Sequence, residues 1–354
     1  MKILLAILLL SIFPFRCFSQ IGGRHAYEFL NLTSSPKVAS LGGKYISHND
    51  EDLSVAYYNP SLLNEQMDHH LTLNFVNYFA GVKYGYVSFG KNLTPRDNLA
   101  IGIQYINYGT FIAAEPTGEI TGTFAAAEYA FNFAFSHKLD SFYTIGADIR
   151  PILSVYENYQ SFGYSTDWGI MYHNPKNLYT LALVIRNLGF QIKPYYQNVH
   201  ESLPFEIQFG FTQELKYAPF RFSITAQHLE TPDMSVHDFA ADYNSSDVGT
   251  TQKQQKRTIE KISDGVMRHL IFGVEFSPFT NFYLRTGYNY QRRQELKIPA
   301  NVAMVGFSWG FGITISRFQF NYGRATYHLA GASNHFSIAT DLPTFTRRKT
   351  SDND

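Results

Sequence analysis

From Leu71 onward the chain alternates apolar and polar positions with a period of two, the spacing of a β-strand with one apolar face. Phe205, Ile207, Phe209 and Phe211 share one side, while Glu206, Gln208, Gly210, Thr212 and Glu214 share the other. The same division recurs in Phe220, Phe222, Ile224 and Ala226 against Arg221, Ser223, Thr225 and Gln227, and in Tyr129, Phe131, Phe133 and Phe135 against Glu128, Asn132 and Ser136. The pattern predicts fourteen strands, beginning near residues 71, 82, 98, 124, 142, 162, 177, 204, 219, 267, 280, 302, 318 and 333, most of them of about 9–12 residues. That length lets a tilted strand cross a bilayer.

Alternation alone does not separate a soluble sandwich from a membrane barrel, because both bury one face and leave the other to a second environment. The connections do. Those after odd strands include the long stretches Thr110–Thr123, Gly189–Leu203, Thr231–Val266 and Arg292–Ala300, whereas those after even strands are tight, as at Leu139–Ser141, His173–Lys176, Lys216–Ala218 and Pro278–Thr280. Long loops at one end and short turns at the other are the habit of outer-membrane barrels. Tyr105 and Tyr108, Tyr156 and Tyr159, Tyr195 and Tyr196, and Tyr288 and Tyr290 fall near strand ends, where amphipathic rings build interfacial girdles.

The first 70 residues are organised differently. Lys2 followed by the apolar run Ile3–Phe13, with Ser19 before Gln20, reads as a secretory signal over residues 1–19. The rival reading, a lipoprotein modified at Cys17, is opposed by Arg16 directly before it. Residues 20–70 form a separate segment with Gly22-Gly23, Gly42-Gly43 and the string YYNPSLL, in which Val38–Leu41 and Leu53–Tyr57 have room for a helical turn or two, punctuated by Pro36 and Pro60. Residues 71–342 are the barrel, and 343–354 are a polar C-terminal tail.

Composition narrows the class further. Charged residues make up 16% of the chain against 16% aromatic, and 29 Lys+Arg balance 29 Asp+Glu, which excludes a basic nucleic-acid binder. Removal of the signal also removes Cys17, the single cysteine, so neither a disulfide scaffold nor a thiol enzyme is expected. The fold class expected is therefore all-β: an outer-membrane antiparallel barrel of about fourteen strands.

Candidate chemistry is sparse. Asp148 and Arg150 lie two apart on one strand face beside Pro151, which reads either as a charged lumen lining or as a structural ion pair next to a bulge. His48–Asp52 lacks the glycine and closing glutamate of a calcium loop and reads as a cap and turn. His69-His70 has no partner at metal spacing. No G-x-S-x-G elbow, phosphate loop or dinucleotide fingerprint is present, so an outer-membrane lipase is unmotivated and no cofactor or metal is expected. Lys253, Lys256, Arg257 and Lys261 punctuate the longest loop, as a solvated surface or as a cationic patch facing lipopolysaccharide phosphates or a protein partner.

One resemblance sharpens this. The run Tyr27-Glu28-Phe29-Leu30-Asn31-Leu32, then Leu41-Gly42-Gly43, Ser47, Asp50 and Tyr57–Leu63, resembles the opening of the PorQ family, FadL-like outer-membrane barrels of the type IX secretion system in Bacteroidota. Asn74–Tyr78 with Ala80-Gly81 also resembles that family, as does Tyr322–Ala325 with Tyr327-His328, Ala330-Gly331 and Asn334. The resemblance implies a non-enzymatic barrel in the outer membrane that anchors a cell-surface attachment complex of PorZ, the sortase PorU and PorV, which processes cargo and couples it to lipopolysaccharide. It further implies that the N-terminal segment is a lumen plug in which Tyr57, Tyr58, Asn59 and Pro60 are structural elements, Asn59-Pro60 ending a plug helix. The alternative is a FadL-type channel for hydrophobic small molecules.

Overall fold

The computed structural model describes residues 25–197, 199–232, 234, 258–296, 304–328 and 331–342. The signal segment and the polar tail lie outside these, as do Lys253, Lys256 and Arg257. Fourteen strands close into one antiparallel barrel in which each pairs with its sequence neighbours and the first pairs with the last. The strands are β1 His70–Asn77, β2 Lys83–Asn92, β3 Asp97–Ala114, β4 Ile120–Lys138, β5 Tyr143–Tyr156, β6 Tyr159–Asn174, β7 Tyr179–Lys193, β8 Glu206–Glu214, β9 Phe220–Ala226, β10 Leu270–Phe279, β11 Phe282–Asn289, β12 Phe307–Ile315, β13 Phe318–His328 and β14 Gly331–Asp341. Closure leaves no strand edge with unpaired backbone groups, the condition for crossing hydrocarbon with β-structure.

The starting points agree with the alternation to within five residues, but the lengths do not. Strands β3 to β7 run 14–19 residues, longer than the expected span, while β8 to β12 run 7–10. At about 3.3 Å per residue, one half of the wall therefore rises well above the other. The tallest part is the β3–β4 hairpin, whose tip exposes Phe111, Ile112 and Ile120. At the opposite end the turns are tight. In the β4–β5 turn the Asp140 carboxylate accepts the N–H groups of Phe142 and Tyr143, both at 2.7 Å, which holds that carboxyl below its ordinary pKa. The Thr231–Val266 connection, read as loop from sequence, includes the start of a helix, Thr258–His269, and Tyr290–Leu296 is helical beyond β11.

The two faces of the wall are chemically opposite. Outward positions carry exposed Leu73, Phe75, Ile101, Phe131, Phe133, Phe135, Ile149, Trp168, Leu183, Phe209, Phe222, Leu284, Trp309, Phe311, Phe336 and Ile338, a continuous apolar belt. Inward positions carry buried Asn74, Gln104, Glu128, Asn132, Asp148, Arg150, Asp167, Glu206, Gln208, Glu275, Arg285 and Asn321. A water-soluble fold hides its large apolar groups and wets its charges; here the order is inverted, as a bilayer requires. No described helix is long and apolar enough to span a membrane, so crossing falls to the strands.

This arrangement sets a position-dependent cost. Phe133→Arg, on the belt, is expected to destabilise the folded barrel in lipid by roughly 2–4 kcal/mol, and Thr121→Arg, on the protruding hairpin, by about 0–1 kcal/mol. Urea titration of both variants in vesicles measures the difference; equal costs would remove Phe133 from hydrocarbon.

Candidate functional site

The lumen is filled by the N-terminal segment, called the plug below. Its chain enters at the loop end, where His25 bridges Ser202 and Ala26 N–H donates to Ser202 O at 3.0 Å, and reaches the turn end at His70, where β1 begins. In between, Phe29, Leu30, Val38, Ile46, Leu53, Val55, Tyr57, Tyr58 and Leu62 are buried. Its local structure follows from side-chain caps. Ser35 caps helix α1, Pro36–Ser40, with Pro36 in the first turn; Asp52 caps the 3-10 turn Leu53–Tyr57; and Asn59 caps the next 3-10 turn, Pro60–Leu62. Asn59-Pro60 thus ends one turn and opens another. The Asn59 amide serves both ends of that junction: Oδ1 accepts Ser61 N–H at 3.0 Å, and Nδ2 donates to Ile46 O at 2.8 Å. Gly42 follows α1 at φ 102°, a conformation L side chains avoid, and so lets the chain reverse there.

Glycines on the inward face let the plug touch the wall. A β-carbon at Gly146 would overlap the Pro60–Ser61 peptide, one at Gly169 the Asn59 amide, one at Gly287 the Leu41–Gly42 peptide, and one at Gly323 the Pro36 carbonyl. Strands β5, β11 and β13 thus present backbone to backbone contact with the plug and β6 meets a plug side chain, which fixes the plug's position laterally.

Charges fix it as well. Asp148 and Arg150 meet at 2.5 Å and are fully buried, but they are two members of a larger cluster. Arg150 also pairs with Asp167, whose Oδ2 receives Arg186 Nε at 3.3 Å and whose Oδ1 receives Asn187 N–H at 2.7 Å. Asn132 Nδ2 donates to Asp148 Oδ2 at 3.0 Å, and Asn132 Oδ1 accepts from Tyr86 OH, also at 3.0 Å. The plug closes this cluster from inside: Arg150 donates to Tyr57 O at 3.1 Å, and its guanidinium lies 4.5 Å from the Tyr57 ring centroid. Arg186 lies 5.5 Å from the Tyr58 ring and 5.7 Å from that of Tyr57. Stacking of this kind stabilises a desolvated guanidinium by up to about 2 kcal/mol.

The bulge expected beside Pro151 is not there. Strand β5 pairs with β6 in unbroken register through Pro151 and Tyr164. The irregularity lies two strands away, between the Thr166–Leu188 and Trp168–Ile185 pairs, where Asn187 has φ 56°. The extra residue in β7 turns both Arg186 and Asn187 into the lumen, a departure from period two that supplies the cluster with its second guanidinium.

A second chain of charges crosses the shorter wall. Arg221 joins Glu214 at 3.0 Å and also Glu275; Arg285 Nε meets Glu275 Oε2 at 2.6 Å and Nη1 meets Asn321 Oδ1 at 2.8 Å. The plug answers here with Lys44 on Glu206, and within the plug Lys37 and His48 meet Asp50. Burial pulls His48 down to about 4; burial would raise Asp50, but His48 and Lys37 more than offset it and hold that carboxyl well below its ordinary range. His69 and His70 make a turn-end contact set with Asp68, Lys91 and Glu51 O. Lys261 falls within the Thr258–His269 helix. Among the described residues no group of His, Cys, Asp and Glu has the geometry of a metal site. Two clefts open at the turn end, one of about 570 Å³ lined by Glu51, His70, Arg317 and Asp341 among others, and one of about 120 Å³ beside Asn64, Asn98 and Lys138.

The wall, its closure and the internal plug together define a fold that solved structures share. TodX, a monoaromatic hydrocarbon channel in a ΔS2 mutant form, superposes with a TM-score of 0.50 at 13% identity, covering 87% of this chain and 97% of that one. The Ralstonia pickettii toluene transporter TbuX gives 0.50 at 11% identity with the same coverage. A Pseudomonas aeruginosa FadL homologue gives 0.45 at 10%, covering 88% and 98%. The fold is FadL-like. That likeness, with the apolar belt, supports an outer-membrane location. No family model and no curated protein matches the sequence.

Among the described residues, removing Arg150 leaves buried Asp148 without a cation and Asp167 with Arg186 as its one basic partner. Arg150→Met is expected to cost about 3–5 kcal/mol of unfolding free energy, measured by denaturant titration in lipid, and a loss under about 1 kcal/mol would mean the cluster does not hold the lumen together.

Proposed function

We propose that the protein is an outer-membrane scaffold whose barrel is kept closed by its plug, and that it holds a cell-surface attachment complex of the type IX secretion system. One observation carries the scaffold reading: the plug is joined to the wall by the Lys44–Glu206 ion pair, by the Arg150 hydrogen bond to Tyr57 O and by close contact at glycines of β5, β6, β11 and β13, so that displacing it breaks all three at once. A barrel with such a fixed interior offers its partners a rigid platform rather than a path. The resemblance of Tyr27–Leu32, Leu41–Gly43 and Tyr57–Leu63 to the PorQ family supplies the complex: PorZ, PorU and PorV-like proteins at the loop end, and lipopolysaccharide around it. On this reading the protein is not an enzyme, and its outer connections do the binding, including the region of Lys253, Lys256, Arg257 and Lys261.

A second reading is a channel for hydrophobic compounds. Its support is the fold shared with the hydrocarbon channel TodX and the toluene transporter TbuX, and the comparisons weigh towards it. The polar inner wall and the charged clusters weigh against it, since an apolar solute crossing the lumen would pass buried charge.

Purification from outer membranes in mild detergent separates the two. The scaffold reading expects co-isolation of PorZ-, PorU- and PorV-like proteins, and cells lacking the gene should release cargo unattached. Attachment that persists in those cells, together with loss of uptake of labelled toluene or fatty acid, would instead establish the channel.

A further inference from the structure

Three tyrosines assigned from sequence to the membrane girdle turn inward instead. Tyr108 on β3 and Tyr156 on β5 occupy lumen positions near the loop end, and Tyr195 folds in from the β7–β8 connection to meet Tyr27 of the plug. Ring centroids are 5.7 Å apart for Tyr108 and Tyr156, 5.5 Å for Tyr156 and Tyr195, and 6.3 Å for Tyr195 and Tyr27. Successive rings tilt by 40°, 52° and 56°, so the four form an arc rather than a stack.

Glu128 of β4 lies against this arc. Tyr108 OH donates to Glu128 Oε2 at 2.6 Å, Tyr195 OH lies 3.4 Å from Oε1 and donates to Ser154 Oγ at 2.6 Å, and Tyr156 OH donates to Tyr108 OH at 3.4 Å. The carboxylate is 1% exposed. The wall's other buried carboxylates all touch a basic side chain: Asp148 and Asp167 touch Arg150, Glu206 touches Lys44, and Glu275 touches Arg221 and Arg285. Glu128 touches none among the described residues. A carboxylate held away from water without a cation is costly, and tyrosine faces carry the negative side of the ring quadrupole. Carboxylate and rings therefore attract the same kind of ligand. Tyr108, Tyr156 and Tyr195 are each partly exposed, which leaves ring surface open to an incoming group.

We propose that Tyr108, Tyr156 and Tyr195, backed by buried Tyr27, form with Glu128 a binding site for an organic cation, a guanidinium or alkylammonium group. The cation lies on the ring faces with its charge towards the carboxylate. Two sources supply that chemistry, a basic side chain of a protein docked at the loop end and a free amine. The site stands on its own geometry and holds under either reading of the barrel.

The test is calorimetric titration of the intact, detergent-solubilised protein with agmatine as the free guanidinium, with the tripeptide acetyl-Gly-Arg-Gly-amide as the peptide-borne one, and with 1-butanol as an uncharged control. Saturable binding of at least one guanidinium and none of butanol is expected. Glu128→Gln should weaken binding by about tenfold or more, and Tyr156→Leu by about three- to thirtyfold. Tyr156→Phe, which keeps the ring face, should retain binding, and thermal melts confirm that each variant remains folded. Tighter binding of the tripeptide assigns the site to a partner's side chain, and tighter binding of agmatine to a free amine; both support the site. Absence of saturable binding by either guanidinium, or equal affinity in wild type and both Glu128→Gln and Tyr156→Leu, overturns the proposal and leaves the arc a structural cluster.

Discussion

The inner wall of this barrel is polar because its outer wall cannot be, and that single constraint organises the interior. Alternation places every second side chain of each strand in hydrocarbon, where Phe131, Phe133 and Phe135 belong, and its neighbours in the lumen, where Asn132 and Ser136 belong. Buried charge must be paired or it costs several kcal/mol per group. The wall meets part of this requirement by itself, as in Glu275 between Arg221 and Arg285. The plug meets more of it, through Tyr57 on Arg150 and Lys44 on Glu206, while Glu128 is left with tyrosine hydroxyls alone among the described residues. Plug and wall therefore complete one polar network, and the fixed position of the plug is a consequence of electrostatic pairing as much as of packing.

Both sides have been cut to fit. Gly146 and Gly169 sit where the Asn59–Ser61 junction presses on adjoining strands, and larger residues there would push the junction away from the cluster it supports. The bulge in β7 adds a second guanidinium without adding a strand, and its strained residue is an asparagine whose side chain is itself used: Asn187 Nδ2 donates to Asn31 Oδ1 at 3.0 Å and Pro204 O at 2.9 Å. Strand β7, the plug and the β7–β8 connection are tied together at that point. Shared fold with TodX and TbuX shows what this architecture has been shaped into elsewhere; it leaves open how each chain fills its own lumen.

The wall was legible in the sequence because alternation is a local signal, renewed every second residue. Asp148 and Arg150 were legible for the same reason, being on one face of one strand. Asp167 and Arg186 were not, since their roles depend on pairing across strands, and at Arg186-Asn187 the period itself breaks. The tyrosines illustrate a different loss. Nearness to strand ends sent Tyr108 and Tyr156 to the girdle, although parity with Gln104 and Arg150 marks both as inward. Inward glycines such as Gly146 and Gly287 carried a signal of close backbone approach that alternation treats as neutral. Strand length was the weakest inference: the rise of β3–β4 above the belt mixes Gly109, Thr110, Gly122 and Thr123 with its apolar residues and reads equally well as loop.

The central claim is that the native plug closes the lumen. Ion current through the intact protein, reconstituted in a planar bilayer without denaturant, tests it most directly. The account predicts no steady conductance, with a channel appearing only when residues 25–67 are deleted. A stable ohmic conductance from the intact chain, equal to that of the deletion, would contradict it.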